Sequence, residues 1–142
     1  MSLVAGRDIV DWRPEVAGDK KLSRIGIIDV GSNSVRMVVF VSQTRLPIPI
    51  FNEKITCGLG RDIGKTNQLN PEGRDLALQS LERFCGMAKE MQIDTLKIIA
   101  TSAVREAKDG KQFAQKIERS FGHKVNILTG GVEAELCAKG LL

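Results

Sequence analysis

Apolar and polar positions alternate in short blocks along the first half of the chain. One apolar run covers residues 25–28, a second covers residues 35–39, and the polar stretch between them is centred on Gly31-Ser32-Asn33-Ser34. Because so few residues separate the runs, the pattern predicts a β-hairpin rather than a strand followed by a helix. Residues of alternating polarity from Ile50 to Cys57 predict a third strand after it.

A helical period of apolar residues begins in the middle of the chain. Asn70 followed by Pro71 predicts a helix start, because asparagine caps the first turn and proline needs no hydrogen-bond partner at the first helical position. The positions predicted to face the core are Ala77, Leu81, Phe84, Cys85, Ala88 and Met91. Two short buried strands are predicted after this helix, at Leu96–Ala100 and Val125–Leu128.

Each of these strands leads into further helical segments. Thr101-Ser102 is expected to cap a short helix that leads through Arg105, and Asp109-Gly110 interrupts the helical pattern. Gly122 is expected to end the segment that follows, since glycine is the usual residue just past a helix end. A last helix is predicted from Val132.

The element order β-β-β-α-β-α-β-α predicts an α/β domain with a mixed sheet and helices on its faces. In such sheets ligands collect at strand ends, and three polar segments fall there: residues 29–34, 101–105 and 129–133. Residues 1–23 are rich in charge and poor in apolar periodicity, so they are predicted to form a flexible arm before a domain that covers residues 24–142.

Composition narrows the classes of function. The formal net charge of +4 is too small and too dispersed to indicate a nucleic-acid surface, and an aromatic content of 4% argues against base-stacking platforms. The 3 cysteines are widely spaced, which argues against a disulfide framework and against a structural zinc site. No secretory signal or membrane-length apolar run occurs, so the chain is predicted to be cytoplasmic, with no membrane and no specific nucleic acid among its partners.

Asp29 ends the first apolar run, directly before the polar turn. Gly31 permits positive φ and the close approach of a ligand, and the backbone N–H groups of residues 31–34 can form an anion-binding nest. A carboxylate beside such a nest suits a phosphate bridged by Mg²⁺, because Mg²⁺ prefers hard oxygen ligands and keeps several waters. The alternative is an ordinary polar turn that Asp29 only caps.

The segment Gly58–Lys65 is a glycine-rich loop that contains a lysine. It differs from the phosphate-binding pattern G-x-x-x-x-G-K-[ST], because the spacing from Gly60 to Gly64 is one residue short. No helix is predicted to start in this loop, and a P-loop is therefore disfavoured.

Three motifs in this order resemble those of the Ppx/GppA phosphatases, the family of exopolyphosphatases and guanosine pentaphosphate phosphohydrolases. They are Ile28-Asp29-Val30-Gly31-Ser32-Asn33-Ser34, then Ala100-Thr101-Ser102-Ala103-Val104-Arg105-Glu106-Ala107, and then Thr129-Gly130 with Glu133-Ala134. The resemblance covers residues 24–142. It implies an actin-like, ribonuclease-H-like domain, of which this chain would form the N-terminal portion.

The resemblance also implies roles for single residues. Asp29 matches an acid that helps to hold Mg²⁺, and Arg105 matches a phosphate-binding arginine. Glu133 matches the carboxylate regarded as the general base, which positions a water for attack on the terminal phosphorus. The positions that match the loop lying against the phosphates are Gly31, Ser32 and Asn33.

The implied reaction is Mg²⁺-dependent release of terminal phosphate from inorganic polyphosphate, which needs charge neutralisation and an aligned water but little covalent chemistry. Hydrolysis of guanosine pentaphosphate at its 5′ phosphate needs the same groups and is the near alternative. Two alternatives of another class are an actin-like ATP-binding or kinase domain and a non-catalytic phosphate-binding scaffold. Taken alone, Arg105 could pair with Glu106 or Asp109, and Glu133 could complement a helix dipole.

The family's second phosphate loop, of the form Asp-Ile-Gly-Gly-Gly-Ser, has no counterpart before Leu142. The chain is therefore expected to hold only the first part of the first actin-like domain and to be inactive alone. An open sheet edge would favour self-association. The resemblance is compatible with a homodimer of the full-length protein.

Overall fold

The computed structural model describes residues 23–42 and 48–139, which form a five-stranded mixed sheet with helices. The strands are β1 at Ser23–Val30, β2 at Ser34–Ser42, β3 at Ile48–Thr56, β4 at Thr95–Ala100 and β5 at Val125–Ile127. Their order in the sheet is β3-β2-β1-β4-β5. The first three strands pair antiparallel, whereas β4 runs parallel to β1 and β5 runs parallel to β4. The predicted hairpin and mixed sheet are confirmed.

Five helices occur among the described residues. They are α1 at Ile63–Thr66, α2 at Pro71–Glu90, α3 at Ser102–Glu106, α4 at Gly110–Phe121 and α5 at Gly130–Ala138. The predicted start of α2 is confirmed, because the side chain of Asn70 accepts a hydrogen bond from the N–H of Gly73 at 2.9 Å. The predicted interruption at Asp109-Gly110 is confirmed to within about a residue, since residues 107–109 separate the two helices and Gly110 begins α4. Gly122 ends α4 with a φ of 73°.

The ends of β3, β4 and β5 differ from the sequence predictions by one or two residues, and the starts of two helices differ as well. The expectation that no helix starts within residues 58–65 is wrong, because α1 forms a single turn between Asp62 and Asn67, both in the left-handed region. A single turn carries no apolar period that could predict it. The last helix begins at Gly130, two residues before the predicted start, since Thr129 caps it.

The predicted arm, residues 1–23, lies outside the described residues except for Ser23, which is the first residue of β1. None of the helices within the described ranges is both long and apolar enough to cross a membrane.

The hydrophobic core lies between one face of the sheet and the helices α2 and α4. On β1 the even-numbered side chains are buried, and on β2 the odd-numbered ones are. The six positions predicted to face the core are all buried, five of them within α2 and the sixth, Met91, directly after its end. On the opposite face of β1 stand Ile25, Ile27 and Asp29, which are only half-buried. The core thus fixes the sheet while leaving Asp29 on the face that α2 and α4 do not cover.

Candidate functional site

The turn between β1 and β2 is held by the loop that follows β3. The carbonyl of Asn33 accepts hydrogen bonds from the N–H groups of Cys57 and Gly58, at 2.9 and 3.0 Å. The carbonyl of Ser32 accepts one from the N–H of Gly60 at 2.8 Å. Within the described ranges, the N–H groups of Ser32 and Asn33 make no hydrogen bond themselves. These two backbone donors are available to an anion.

Gly31 closes the turn, with its N–H donating to the carbonyl of Ser34 at 2.9 Å. It does not use the positive φ that glycine permits; the glycines with positive φ in the described part of the chain are Gly58 and Gly122. A Cβ at position 31 would lie 3.1 Å from the carbonyl oxygen of Ser34. Glycine is favoured there by lack of space rather than by backbone conformation.

A pair of hydroxyl groups joins this turn to α3. The Oγ atoms of Ser32 and Ser102 are 2.5 Å apart, and Ser102 is the first residue of the helix. A Cβ at Gly60 would lie 3.1 Å from that of Ser32, so the three segments meet closely. From sequence, Thr101 and Ser102 were expected only to cap the helix, yet Thr101 makes no side-chain capping bond. The sequence signal for the contact between Ser32 and Ser102 is that each is a hydroxyl residue just past the end of one of two adjacent parallel strands.

Arg105 on α3 contacts Glu133 on α5. Its Nη1 donates to Oε2 of Glu133 at 3.0 Å and to the carbonyl of Leu128 at 2.8 Å. The pairing of Arg105 with Asp109 that the sequence left open does not occur, because Asp109 pairs with Arg74 at 3.4 Å instead. The side chains of Arg105 and Glu133 are 27% and 28% exposed, so a ligand can reach both. A guanidinium carries five N–H donors, and the others can serve a phosphate.

The first turn of α5 places Glu133. Thr129 caps this helix by accepting a hydrogen bond from the N–H of Val132 at 3.2 Å, and the N–H of Glu133 donates to the carbonyl of Thr129 at 2.9 Å. A dipole effect alone explains an acid in this turn. It does not explain why the carboxylate reaches across to α3.

Asp29 stands at the end of β1 with one oxygen kept from water. Its Oδ1 is buried and has no hydrogen-bond partner among the described residues. Burial raises the pKa of the Asp29 carboxyl above its usual value, the charge of Glu133 raises this pKa further, and Arg36 lowers it. A buried carboxylate oxygen without a donor is costly, and a bound cation would relieve that cost.

Asp29 fits Mg²⁺ as one protein ligand of a shell that waters and substrate phosphates complete. The described residues contain no group of three or more His, Cys, Asp or Glu side chains that could hold a metal. Mg²⁺, however, is often held by one or two carboxylates together with waters and substrate phosphates. Asp29 offers an unpartnered oxygen, and Glu133 is near enough to raise its pKa.

The raised pKa of Asp29 predicts that Asp29→Asn raises the melting temperature at pH 7 without divalent cations. In the folded state this carboxyl holds its proton to higher pH than in the unfolded state. The free energy of unfolding therefore falls as the pH rises through the pKa that Asp29 has in the folded state. The variant does not lose this free energy, because asparagine does not ionise. Thermal unfolding followed by circular dichroism should show almost no difference at pH 3 and a gain at pH 7.

Asp75→Asn is the matched control, because Asp75 is exposed and its side chain makes no hydrogen bond or ion pair with the described residues. It should leave the melting temperature unchanged at both pH values. A melting temperature of Asp29→Asn below that of the wild type at pH 7 would show that the carboxylate stabilises the fold, as the capping alternative requires.

Comparison with known proteins identifies the family of this chain. A profile of the Ppx/GppA phosphatase family matches residues 38–142. Exopolyphosphatase 1 of Mycobacterium tuberculosis is 28% identical over 114 residues, which cover 80% of this chain and 33% of that protein. Guanosine-5′-triphosphate,3′-diphosphate pyrophosphatase of Pseudoalteromonas translucida is 31% identical over 120 residues, which cover 81% of this chain and 23% of that protein.

Solved structures agree with this placement. An exopolyphosphatase from Cytophaga hutchinsonii matches with a TM-score of 0.75 at 30% identity, over 80% of this chain and 36% of that one. The predicted actin-like fold is confirmed. The chain spans 33% of the length of the mycobacterial relative and 36% of the Cytophaga structure.

Proposed function

The chain belongs to the Ppx/GppA phosphatase family, and we propose that it supplies the first phosphate site of an enzyme that hydrolyses phosphoanhydride chains in a Mg²⁺-dependent reaction. The substrate proposed first is inorganic polyphosphate, from which terminal phosphate is released. The observation that carries the proposal is the convergence of unpartnered backbone donors, a cation and two carboxylates at one end of the sheet.

The residues divide the work of hydrolysis among them. The N–H groups of Ser32 and Asn33 bind oxygens of the terminal phosphate, and Arg105 binds it with the guanidinium donors that Glu133 and Leu128 leave unused. Asp29 holds Mg²⁺, which when bound neutralises negative charge on the phosphates.

Glu133 accepts a hydrogen bond from the attacking water and takes the proton that the water loses. The water oxygen bonds to the terminal phosphorus as the bridging P–O bond breaks, which yields orthophosphate and a chain that is one unit shorter. The contact with Arg105 fixes the direction of the Glu133 carboxylate, because one of its oxygens is held at 3.0 Å from Nη1.

Guanosine pentaphosphate is the second candidate substrate. The Pseudoalteromonas relative, whose name states that it is a guanosine-5′-triphosphate,3′-diphosphate pyrophosphatase, is 31% identical to the chain. Hydrolysis of guanosine pentaphosphate at its 5′-terminal phosphate would need the same donors, carboxylates and arginine. The two substrates therefore share every group described above.

Binding of tripolyphosphate to the chain tests the proposed site without requiring turnover. Isothermal titration calorimetry should show binding that needs Mg²⁺ and that Asp29→Asn weakens at least about tenfold, a typical effect for losing a charged ligand contact. The Asp75→Asn control should bind as the wild type does. Binding that neither Mg²⁺ nor Asp29→Asn affects would contradict the proposed site.

A further inference from the structure

An open groove runs between α2 and α4 on the outer surface of the helical layer. The α2–α4 groove has a volume of about 460 Å³, which lies within the range of ligand sites in proteins. These two helices cover the sheet face opposite to the one that carries Asp29. Among the described residues, none of those assigned above to phosphate or Mg²⁺ lines the groove. The site at the β1–β2 turn therefore does not account for it.

Two cations stand at the end of the groove where α4 terminates. Lys116 and Arg119 both line it from α4, and they lie three residues apart, so they project side by side from one helix face. Both are exposed, and within the described ranges neither side chain makes a hydrogen bond or an ion pair. Adjacent like charges on a helix repel each other, and an anion in the groove would relieve that repulsion.

The acids that line the groove belong to its other end. Asp109 directly precedes α4, and Arg119 lies in the last turn, so roughly 15 Å of helix separates them. The carboxylate of Asp109 is already engaged, because Oδ1 accepts from the N–H of Leu69 at 2.9 Å and Oδ2 is 3.4 Å from Nη1 of Arg74. The second acid, Asp75, is next to Arg74 on α2. Neither acid forms an ion pair with the two cations of α4 in the part of the chain that the structure describes.

The middle of the groove offers apolar contact and side-chain amides. Leu78 of α2 and Phe113 of α4 both line it and pack against the hydrophobic core, so they form an apolar floor in a fixed position. Gln112 and Gln115 are exposed on α4, and their side chains make no hydrogen bond to any described residue. A glutamine amide both donates and accepts hydrogen bonds, as a peptide backbone does. The wall of α4 can therefore pair with an extended main chain while the floor receives an apolar side chain.

We propose that the α2–α4 groove docks an acidic peptide segment of a partner protein. An apolar side chain of the segment rests on Leu78 and Phe113, and its carboxylates meet Lys116 and Arg119, whose charge is complementary to them. Nucleic acid fits this groove less well, because it needs a longer run of cations and the aromatic ring that lines the groove, Phe113, is 4% exposed. The inference goes beyond the proposed function and does not depend on it.

A fluorescein-labelled pentapeptide with blocked ends tests this docking site by fluorescence anisotropy with the chain. The peptide has a leucine in its centre and two glutamates on either side. The double variant Lys116→Glu/Arg119→Glu should weaken its binding about tenfold or more, because the carboxylates would then face like charge. A peptide with serine in place of leucine should bind the wild-type chain about fivefold or more weakly, since it cannot fill the apolar floor. No binding of the leucine peptide by the wild-type chain would overturn the docking site.

Lys54→Glu/Lys97→Glu is the matched control. Both lysines are exposed on the sheet face that carries Asp29, since Lys54 lies opposite Arg36 and Lys97 lies opposite Ile27. This double variant changes the net charge by the same amount and should alter peptide binding less than about twofold. Equal losses in the two double variants would overturn the docking site by showing a general charge effect.

Three further measurements on Lys116→Glu/Arg119→Glu distinguish other occupants. A DNA strand of five nucleotides that binds the wild type as tightly as the peptide, and loses the same affinity in the variant, would overturn the proposal by showing a general anion site. A wild-type chain that dimerises in sedimentation while the variant does not would overturn it in favour of a second copy. Unchanged affinity for tripolyphosphate in the variant supports a separate site, and a loss equal to that of the peptide overturns it.

Discussion

Replacing Glu133 by glutamine is expected to lower the rate of phosphate release from polyphosphate by about 10²-fold or more, the usual contribution of a general base. Glutamine keeps the size of the side chain and an oxygen that Arg105 can still contact, but it cannot take a proton from water. Binding of the substrate should change little, so the loss should appear in kcat rather than in KM. The measurement is made on the full-length protein, since the chain spans 33% of its mycobacterial relative.

Glu135→Gln controls for the loss of a charge on the same helix. Glu135 is exposed and pairs only with Lys139 in the described part of the chain, at 2.9 Å. This control should keep full activity. If Glu133→Gln were as active as Glu135→Gln, Glu133 would take no part in the reaction and would serve only as the ion-pair partner of Arg105.

The largest effect on stability is expected from Gly110→Ala, which should cost about 3 kcal/mol of unfolding free energy because overpacking a filled core forces backbone shifts. Gly110 is buried at the start of α4. A Cβ there would overlap the carbonyl oxygen of Val104 and lie 2.7 Å from its carbonyl carbon. These atoms belong to the backbone of α3, so the helix that carries Ser102 and Arg105 would have to move.

Gly86→Ala is the matched control for this prediction. Gly86 lies inside α2, and a Cβ at this position would meet no atom within 4 Å. Alanine there should raise the unfolding free energy by about 0.5–1 kcal/mol, since glycine is the poorer helix former. Urea denaturation of both variants measures the difference. Equal urea midpoints for Gly110→Ala and Gly86→Ala would contradict the prediction, because they would show that α3 and α4 accommodate the added methyl group without loss of stability.

The fold was largely predictable because its signals are local. The short polar stretch at Gly31–Ser34 predicts a hairpin, and the Asn70-Pro71 pair together with apolar periodicity predicts α2; both occur in the structure. Elements without a period were missed. The single turn α1 depends on the left-handed residues Asp62 and Asn67, which no hydrophobic pattern reveals.

The site was predictable to the level of its segments but not of its contacts. Parallel strands end at the same edge of a sheet, which is why residues 29–34, 101–105 and 129–133 could be expected to meet. The contact between Arg105 and Glu133 joins positions that are 28 residues apart on two helices, and side-chain rotamers decide it. The position of Arg36 beside Asp29 depends on strand register, which follows only once both strands are placed.

The most direct test of the central claim is phosphate release from long-chain polyphosphate by the full-length protein, with and without Mg²⁺, beside guanosine pentaphosphate as a second substrate. Release from either substrate that stops when a chelator removes Mg²⁺ is the predicted result. Faster release from polyphosphate would support the first proposed substrate, and faster release from the nucleotide would support the second. Tight Mg²⁺-dependent binding of both without any release would contradict the claim and identify a phosphate-binding scaffold.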